Sequence, residues 1–356
     1  MNAIIGTGLC ASGVLSSLSF TNAKLYGNKS YTGHAKINSH WRDNPIVSNN
    51  GLYGLSRFYH GVTPGEVLVN PEYKTSLLEL GLPIVTDFPA EQYNFVPYIV
   101  PRPKKFIKRV EVCADFSFES LLECNNVYLC SSVIGNINYL DSINYIDSLY
   151  VGDHINCKIA HVRSSELDKK YHSSIITKSG VFSPVVNSEK FQISFRPKFF
   201  SKSIDVNFID NKLEVNNMFK ISLYEKILTA VYLKFGILFF QPIGYDVFLQ
   251  SNIDDAYIYS KGSLFENESN KPKHEVLISE AYDTLSDMGV DFRRVKCNAM
   301  SGIHMHYDRS LLENLPDNIH VLDTSLYSSN AKHSSVASFC ESYNYTSKIR
   351  FLDNVG

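Results

Sequence analysis

At 356 residues the chain can bury a large core, as two domains or as one large α/β domain with an insertion. Its 34 Lys and Arg nearly balance 36 Asp and Glu, and a formal net charge of -2 provides no field to draw in nucleic acid or an anionic membrane surface. The seven cysteines are odd in number and hold no C-x-x-C pair, which argues against a disulfide framework and against a zinc or iron–sulfur centre. No apolar run approaches the roughly 20 residues of a membrane helix. The apolar N-terminal stretch lacks the positive leader of a signal peptide. These features read as a cytoplasmic protein.

Ala3-Ile4-Ile5 is an apolar strand that runs into Gly6-Thr7-Gly8-Leu9-Cys10-Ala11-Ser12-Gly13 and then into the helical pattern Val14 to Leu18. In a strand–turn–helix of this kind Gly6 allows the tight turn, Gly8 lets a pyrophosphate approach the backbone, and Ala11 permits close helix–strand packing. A dinucleotide phosphate would then sit on the helix N-terminus, at Gly6, Gly8 and Gly13. The alternative is a glycine-rich turn that only packs. An acidic residue that holds the ribose hydroxyls is expected to close the next strand, about 20 residues after the first glycine. There the chain reads Ala23-Lys24-Leu25-Tyr26-Gly27-Asn28, which leaves Asn28 as a poorer ribose partner.

A polar loop from Lys29 to Asn50 leads into the glycine-dense stretch Gly51 to Val62, read either as backbone passing close to a flat ligand or as a structural loop. Leu68 to Val100 is Pro-punctuated and irregular, and Arg109 to Phe118 alternates as a strand does. Asn126 to Ser132 reads as a short buried strand entering a turn at Gly135, with a helical pattern to Leu140. From about Ile155 to Cys297 strand-like runs such as Phe191 to Phe195 and Lys212 to Val215 suggest an antiparallel sheet, interrupted by helices at Leu223 to Phe235 and His274 to Met288. The second of these places Leu277, Ile278, Ala281, Tyr282 and Leu285 on one face and stops at Gly289. Ile319 to Asp323 is a further strand, Ser325 to Ser335 a polar connection, and Val336 to Tyr345 a terminal helix. The expected fold is α/β: a Rossmann-like dinucleotide-binding domain from 1–155 together with 298–356, and an inserted α+β antiparallel-sheet substrate domain over 156–297.

In this order the stretches resemble the glucose-methanol-choline (GMC) flavoprotein oxidoreductases, particularly the shorter forms encoded in polysaccharide biosynthesis clusters. The turn at Gly6 to Gly13 resembles the family's FAD pyrophosphate loop, and Gly54-Leu55-Ser56-Arg57-Phe58-Tyr59-His60-Gly61 is similar to its flavin-contacting Gly-Gly-Leu-Ser-x-x-Trp-Gly loop. Val127 to Ser132 falls where the family has a strand and small-residue turn beside FAD, and Gly152-Asp153-His154 resembles the Gly-Asp-His before the substrate domain. Ile319 to Ser325 is similar to the late strand and Asp-Ala-Ser turn against the flavin. Region 160–295 carries no match. The sequence departs from the family at the ribose acid, at Tyr53 and Tyr59, and at His60, where the last glycine comes one place late as Gly61.

The resemblance implies an FAD cofactor held by Gly6, Gly8, Ala11, Gly13, Asn28, Gly54, Ser56, Ser131, Asp323 and Ser325. It also implies a catalytic histidine near flavin N5 and a second His or Asn later in the chain. His333 falls on the second position, with Ser334 in place of the usual proline. Gly302-Ile303-His304-Met305-His306 offers two histidines for the first, of which His304 fits better and His306 is the runner-up. Neutral histidine suits the chemistry, because hydride leaves a carbon only as a base of suitable pKa removes the hydroxyl proton. The implied activity is oxidation of an alcohol on a small-molecule or saccharide substrate. A His-x-His pair is also a common structural or surface feature, and zinc binding by His304 and His306 lacks an obvious third ligand. Two further readings stay open: a degenerate GMC-like protein that binds a nucleotide or glycan without redox turnover, and an NAD-dependent dehydrogenase, which uses only the opening motif.

Overall fold

The structure, a computed structural model, describes residues 1–18, 23–27, 34–35, 48–49, 62–64, 70–82, 95–97, 112–113, 121, 123–171, 174–177, 180–182, 185–198, 243–295, 299–300, 305–323 and 335–355. β1 (Asn2–Ile5) leads through α1 (Leu9–Ser17) to β2 (Ala23–Tyr26). Two short antiparallel pairs follow, β3 (His34–Ala35) with β4 (Ser48–Asn49) and β5 (Val62–Pro64) with β6 (Phe95–Pro97); α2 (Pro71–Glu79) lies between the strands of the second pair in sequence. Next come β7 (Val112–Cys113), β8 (Asn126–Leu129), α3 (Ser132–Ser142) and the long strand β9 (Ser148–Arg163). β10 (Ser174–Thr177) pairs with β11 (Gly180–Phe182), and β12 (Val185–Asn187), β13 (Gln192–Lys198), β14 (Gly244–Ser260) and β15 (Ser263–Glu266) follow. The rest is α4 (Lys271–Asp287), β16 (Phe292–Arg294), β17 (Ala299–Met300), β18 (Ile319–Val321) and α5 (Ser335–Val355).

The first sheet is parallel, in the order β18-β8-β1-β2-β7. It is covered on both faces, which is why its strands read as apolar runs rather than as alternations. Side-chain alternation divides them between two cores. Ala3, Ile5, Val127, Leu129 and Val321 join Val133, Ile137 and Leu140 of α3 in one, while Ile4, Leu25, Tyr128 and Leu322 join Ala11, Val14 and Leu15 of α1 in the other. Outside α1 lies α5, linked to it by Ser17 Oγ and Ser347 Oγ at 3.0 Å. Against α5 in turn lies α2, through Tyr73 to Glu341 at 2.7 Å and Ser76 to Asn344 at 2.7 Å.

The second sheet is antiparallel, in the order β12-β13-β14-β9-β16, with β15 added to β14 and β17 to β9. β9 and β14 carry it over 16 and 17 residues, and their pairing slips twice, between Val247 and Phe248 and between Ile253 and Tyr257. The turn from β14 to β15 has positive φ at both Lys261 (47°) and Gly262 (74°), the backbone that a two-residue hairpin matched to strand twist requires. On α4, the stripe Leu277, Ile278, Ala281, Tyr282 and Leu285 is the packed face, and the helix ends at Gly289 with φ 69°. Tyr282 of α4 stacks on Phe292 of β16 and donates to the Ile159 carbonyl at 3.0 Å. The two sheets meet through α3, whose Asp141 accepts the Tyr259 hydroxyl proton of β14 at 2.8 Å, with Asn138 Oδ1 3.0 Å from the same oxygen.

Several elements differ from the sequence reading. The stretch read as irregular contains α2, started by Asn70, whose side chain accepts from the Glu72 amide at 2.9 Å, with Pro71 in the first turn, where proline costs no hydrogen bond. The turn expected at Gly135 lies earlier, at Ser131 and Ser132, and Gly135 is inside α3, where a Cβ would come within 2.6 Å of Ser131 Cβ. The antiparallel sheet starts at Ser148, ahead of the composition change near Ile155. α5 runs on to Val355, beyond the expected end at Tyr345. Lys212 to Val215 and Leu223 to Phe235 lie outside the described residues.

Candidate cofactor site

In the parallel sheet the chain moves from central β1 outward to β2 on one side and later to β8 on the other. The crevice at the carboxyl ends of β1 and β8 is therefore a topological switch point, the place where open α/β sheets bind ligands. Gly6 ends β1 with φ 110°, a conformation that side chains disfavour. A Cβ on Gly6 would lie 2.4 Å from the Cys130 carbonyl oxygen, so glycine is what lets the two strand ends close together. Gly8, the residue before α1, has no atom of the described residues within 4 Å of an added Cβ, so the helix start is open there among the described residues. The first turn of α1 holds no acidic side chain, which leaves its partial positive charge uncompensated from within the helix. An open, glycine-bordered helix start of this kind fits a pyrophosphate.

Ala11 is fully buried against the sheet, as its expected packing role requires. Gly13 stands elsewhere: a Cβ there would meet the Phe339 carbonyl oxygen at 2.4 Å, so this glycine makes room for α5. At the end of β8, Ser131 donates its hydroxyl to the Ile5 carbonyl at 3.1 Å and its amide to Asn136 Oδ1 at 3.0 Å. Ser132, next in the chain, has φ 68°, a strained position for a residue with a side chain and one that clusters at functional turns. Asp323, just past β18, is 1 % exposed and accepts from Asn136 Nδ2 at 2.7 Å and from the Tyr307 hydroxyl at 3.5 Å. Gly6, Gly8, Ser131 and Asp323 thus gather at the same end of one sheet.

On the ribose side, β2 closes at Tyr26 and Gly27 without a carboxylate, and the Thr7 methyl group lies 2.6 Å from where a Gly27 Cβ would be. Burial pushes the Cys10 thiol in the first turn of α1 up to about 12; a hydrogen bond to Ser342 partly offsets this, and the Asp323 carboxylate adds to it. Among the described residues no group of three or more His, Cys, Asp and Glu side chains could hold a metal ion.

His306 is buried in a different setting. Two backbone hydrogen bonds pair it with Gly152 of β9, at 2.7 and 3.1 Å, and its ring lies over that glycine, with Nε2 only 2.3 Å from an added Cβ. Its Nε2 also meets Asp254 at 3.2 Å, in the second slip of β14 against β9. The next residue, Tyr307, reaches Asp323, so this short segment ties the antiparallel sheet to the switch point. Asn28, Gly54, Ser56, His304, Ser325 and His333 lie outside the described residues.

The reading of the sequence missed Asn136 and Tyr307. Asn136 had a signal, being a polar residue on the stripe of α3 formed by Val133, Ile137 and Leu140 and fully buried there. Tyr307 had none, since its partner comes from another element.

No family model matches the chain, and no curated protein matches it. Solved structures do. Formate oxidase is similar with a TM-score of 0.54 at 9 % identity, over 99 % of this chain and 98 % of that one. An FAD dependent oxidoreductase from Pseudomonas aeruginosa aligns at a TM-score of 0.40 and 10 % identity, over 99 % of this chain and 90 % of that one. A flavoprotein/dehydrogenase from Cytophaga hutchinsonii aligns at 0.36 and 9 %, over 99 % and 79 %. The likeness to formate oxidase is one of fold: the chain is a mixed α/β protein with a parallel and an antiparallel sheet.

Proposed function

We propose that the protein is an FAD-dependent oxidoreductase of the GMC type, oxidising an alcohol of a sugar or saccharide-like substrate. The observation that carries this reading is the open helix start at Gly8, set at the switch point between Gly6 and Ser131 with Asp323 beside them. The fold shared with formate oxidase supports it. Gly6, Gly8 and the N-terminal amides of α1 would hold the pyrophosphate, and Asp323, with Gly54 and Ser56, would lie on the flavin side. Bound FAD supplies the hydride acceptor. The chain supplies the rest: the two sheets orient the substrate, and His304, paired with His333, takes the hydroxyl proton. His306 is the alternative base. In the same reading 1–155 with 298–356 form the cofactor domain and 156–297 the substrate domain, with β9 crossing the boundary.

One observation favours a second reading, in which the fold persists as a binding module without redox turnover: β2 ends without the carboxylate that would hold the ribose. Adding FAD to the purified protein and following visible absorbance during anaerobic mixing with sugars separates the two. Bleaching of a bound flavin by a sugar is expected. A protein that binds FAD and is bleached by no alcohol substrate favours the binding module, and one that takes up no FAD contradicts the first reading outright.

A further inference from the structure

We infer that Asn136 is the positioning residue of this site, locking the Asp323 carboxylate and the Ser131 amide into one arrangement; the inference rests on the flavin reading above. β8 and β18 are parallel neighbours, and the backbone link nearest their carboxyl ends is Leu322 N–H to the Leu129 carbonyl at 2.8 Å. Beyond it Asn136 takes over from the backbone. Its Nδ2 donates to the same Leu129 carbonyl at 3.0 Å and to Asp323 Oδ2 at 2.7 Å, while its Oδ1 accepts from the Ser131 amide at 3.0 Å. These three partners fix the amide orientation, because the Ser131 N–H can only face oxygen, and both hydrogens of the NH₂ then have acceptors.

Asn136 is fully buried and Asp323 is 1 % exposed, so the bonds to Leu129 and Asp323 are made away from water, where a missing partner is costly. The two ends that the amide ties together flank the open helix start at Gly8, and both belong to the residues proposed to face the cofactor. A shorter side chain at 136 would take this hydrogen bond from Asp323 and would free the Ser131 amide to turn. The carboxylate and the turn at Ser132 would then lose their shared reference point.

The test is an FAD titration of the wild type, Asn136→Asp and Asn136→Ser, read by visible absorbance, with the unfolding temperature of each apo protein measured alongside. Asn136→Asp keeps the acceptor for Ser131 but sets a carboxyl group against Asp323. Asn136→Ser reaches neither Asp323 nor Leu129 and serves if the first variant does not fold. Either folded variant is expected to bind FAD about tenfold or more weakly, the worth of one hydrogen bond to a charged group, and to shift the band of the flavin it does bind. Wild-type affinity, or weaker binding with an unshifted band, overturns the positioning role while leaving the flavin site intact. Failure of the wild type to bind FAD overturns the flavin reading, and this inference with it.

Discussion

Gly13 of α1 and Phe339 of α5 meet backbone to backbone: a methyl group on Gly13 would stand 2.4 Å from the Phe339 carbonyl oxygen and 3.0 Å from both Ser342 Cβ and the Tyr343 amide. The space is closed by main chain, which cannot swing aside as a side-chain tip can. Gly13→Ala is therefore expected to push the helices apart and lower stability by about 1–3 kcal/mol, the range for overpacking a tight contact. Chemical denaturation measures this directly, and unchanged stability would mean that the helices do not cross here.

Gly152 and His306 form a similar pair across β9. Gly152→Ala places a methyl group against the imidazole, 2.3 Å from Nε2, and is expected to expel the ring. His306→Ala vacates that space, so the double variant should recover part of the stability that Gly152→Ala loses. A double-mutant cycle on unfolding free energy reads the coupling, and simple additivity would show that the ring does not lie over the glycine.

The half-buried thiol of Cys10 and the buried thiol of Cys340 give the protein an alkaline limit. Cys10 and Cys340 are each pushed from 9.0 up to about 12, by burial first, with Asp323 adding at Cys10 and Glu341 at Cys340. Above 9.0 the unfolded chain releases these protons while the folded one keeps them, so the folded state binds more protons and stability falls as pH rises. The contribution is whole below 9.0 and lost progressively towards about 12. Denaturant unfolding across this interval should show the decline, less steeply in Cys10→Ser and Cys340→Ser; equal slopes in the variants would assign the loss to other groups.

The parts of this fold legible in the sequence are those set by local pattern. The apolar strand before Gly6, the strand at Asn126, the strand at Ile319 and the stripe of α4 each carry a periodicity or a turn residue that needs no distant partner. What stayed hidden depends on contacts across the chain. Gly13 reads as part of a phosphate turn because the residue that explains it, Phe339, lies in the last helix. Asn136 finds Asp323 187 positions away, and no local spacing announces that bond. α2 is a different kind of miss, since Asn70-Pro71-Glu72 is a helix start, and its proline weighs more heavily as a breaker than as a first-turn residue.

The central claim is that an open helix start at the switch point holds FAD, and Gly8 tests it most directly. Gly6 cannot serve, because its φ of 110° and the Cys130 carbonyl at 2.4 Å tie it to folding itself. Gly8 has φ -86° and, among the described residues, open space around an added Cβ, so Gly8→Val should fold at the cost of a poorer N-cap, roughly 1 kcal/mol, while its side chain fills the approach of a pyrophosphate. The measurement is FAD affinity in wild type and Gly8→Val, by quenching of flavin fluorescence, on proteins matched in unfolding temperature. FAD binding by the wild type and its loss in Gly8→Val is the expected result, and undiminished affinity in Gly8→Val would contradict the account.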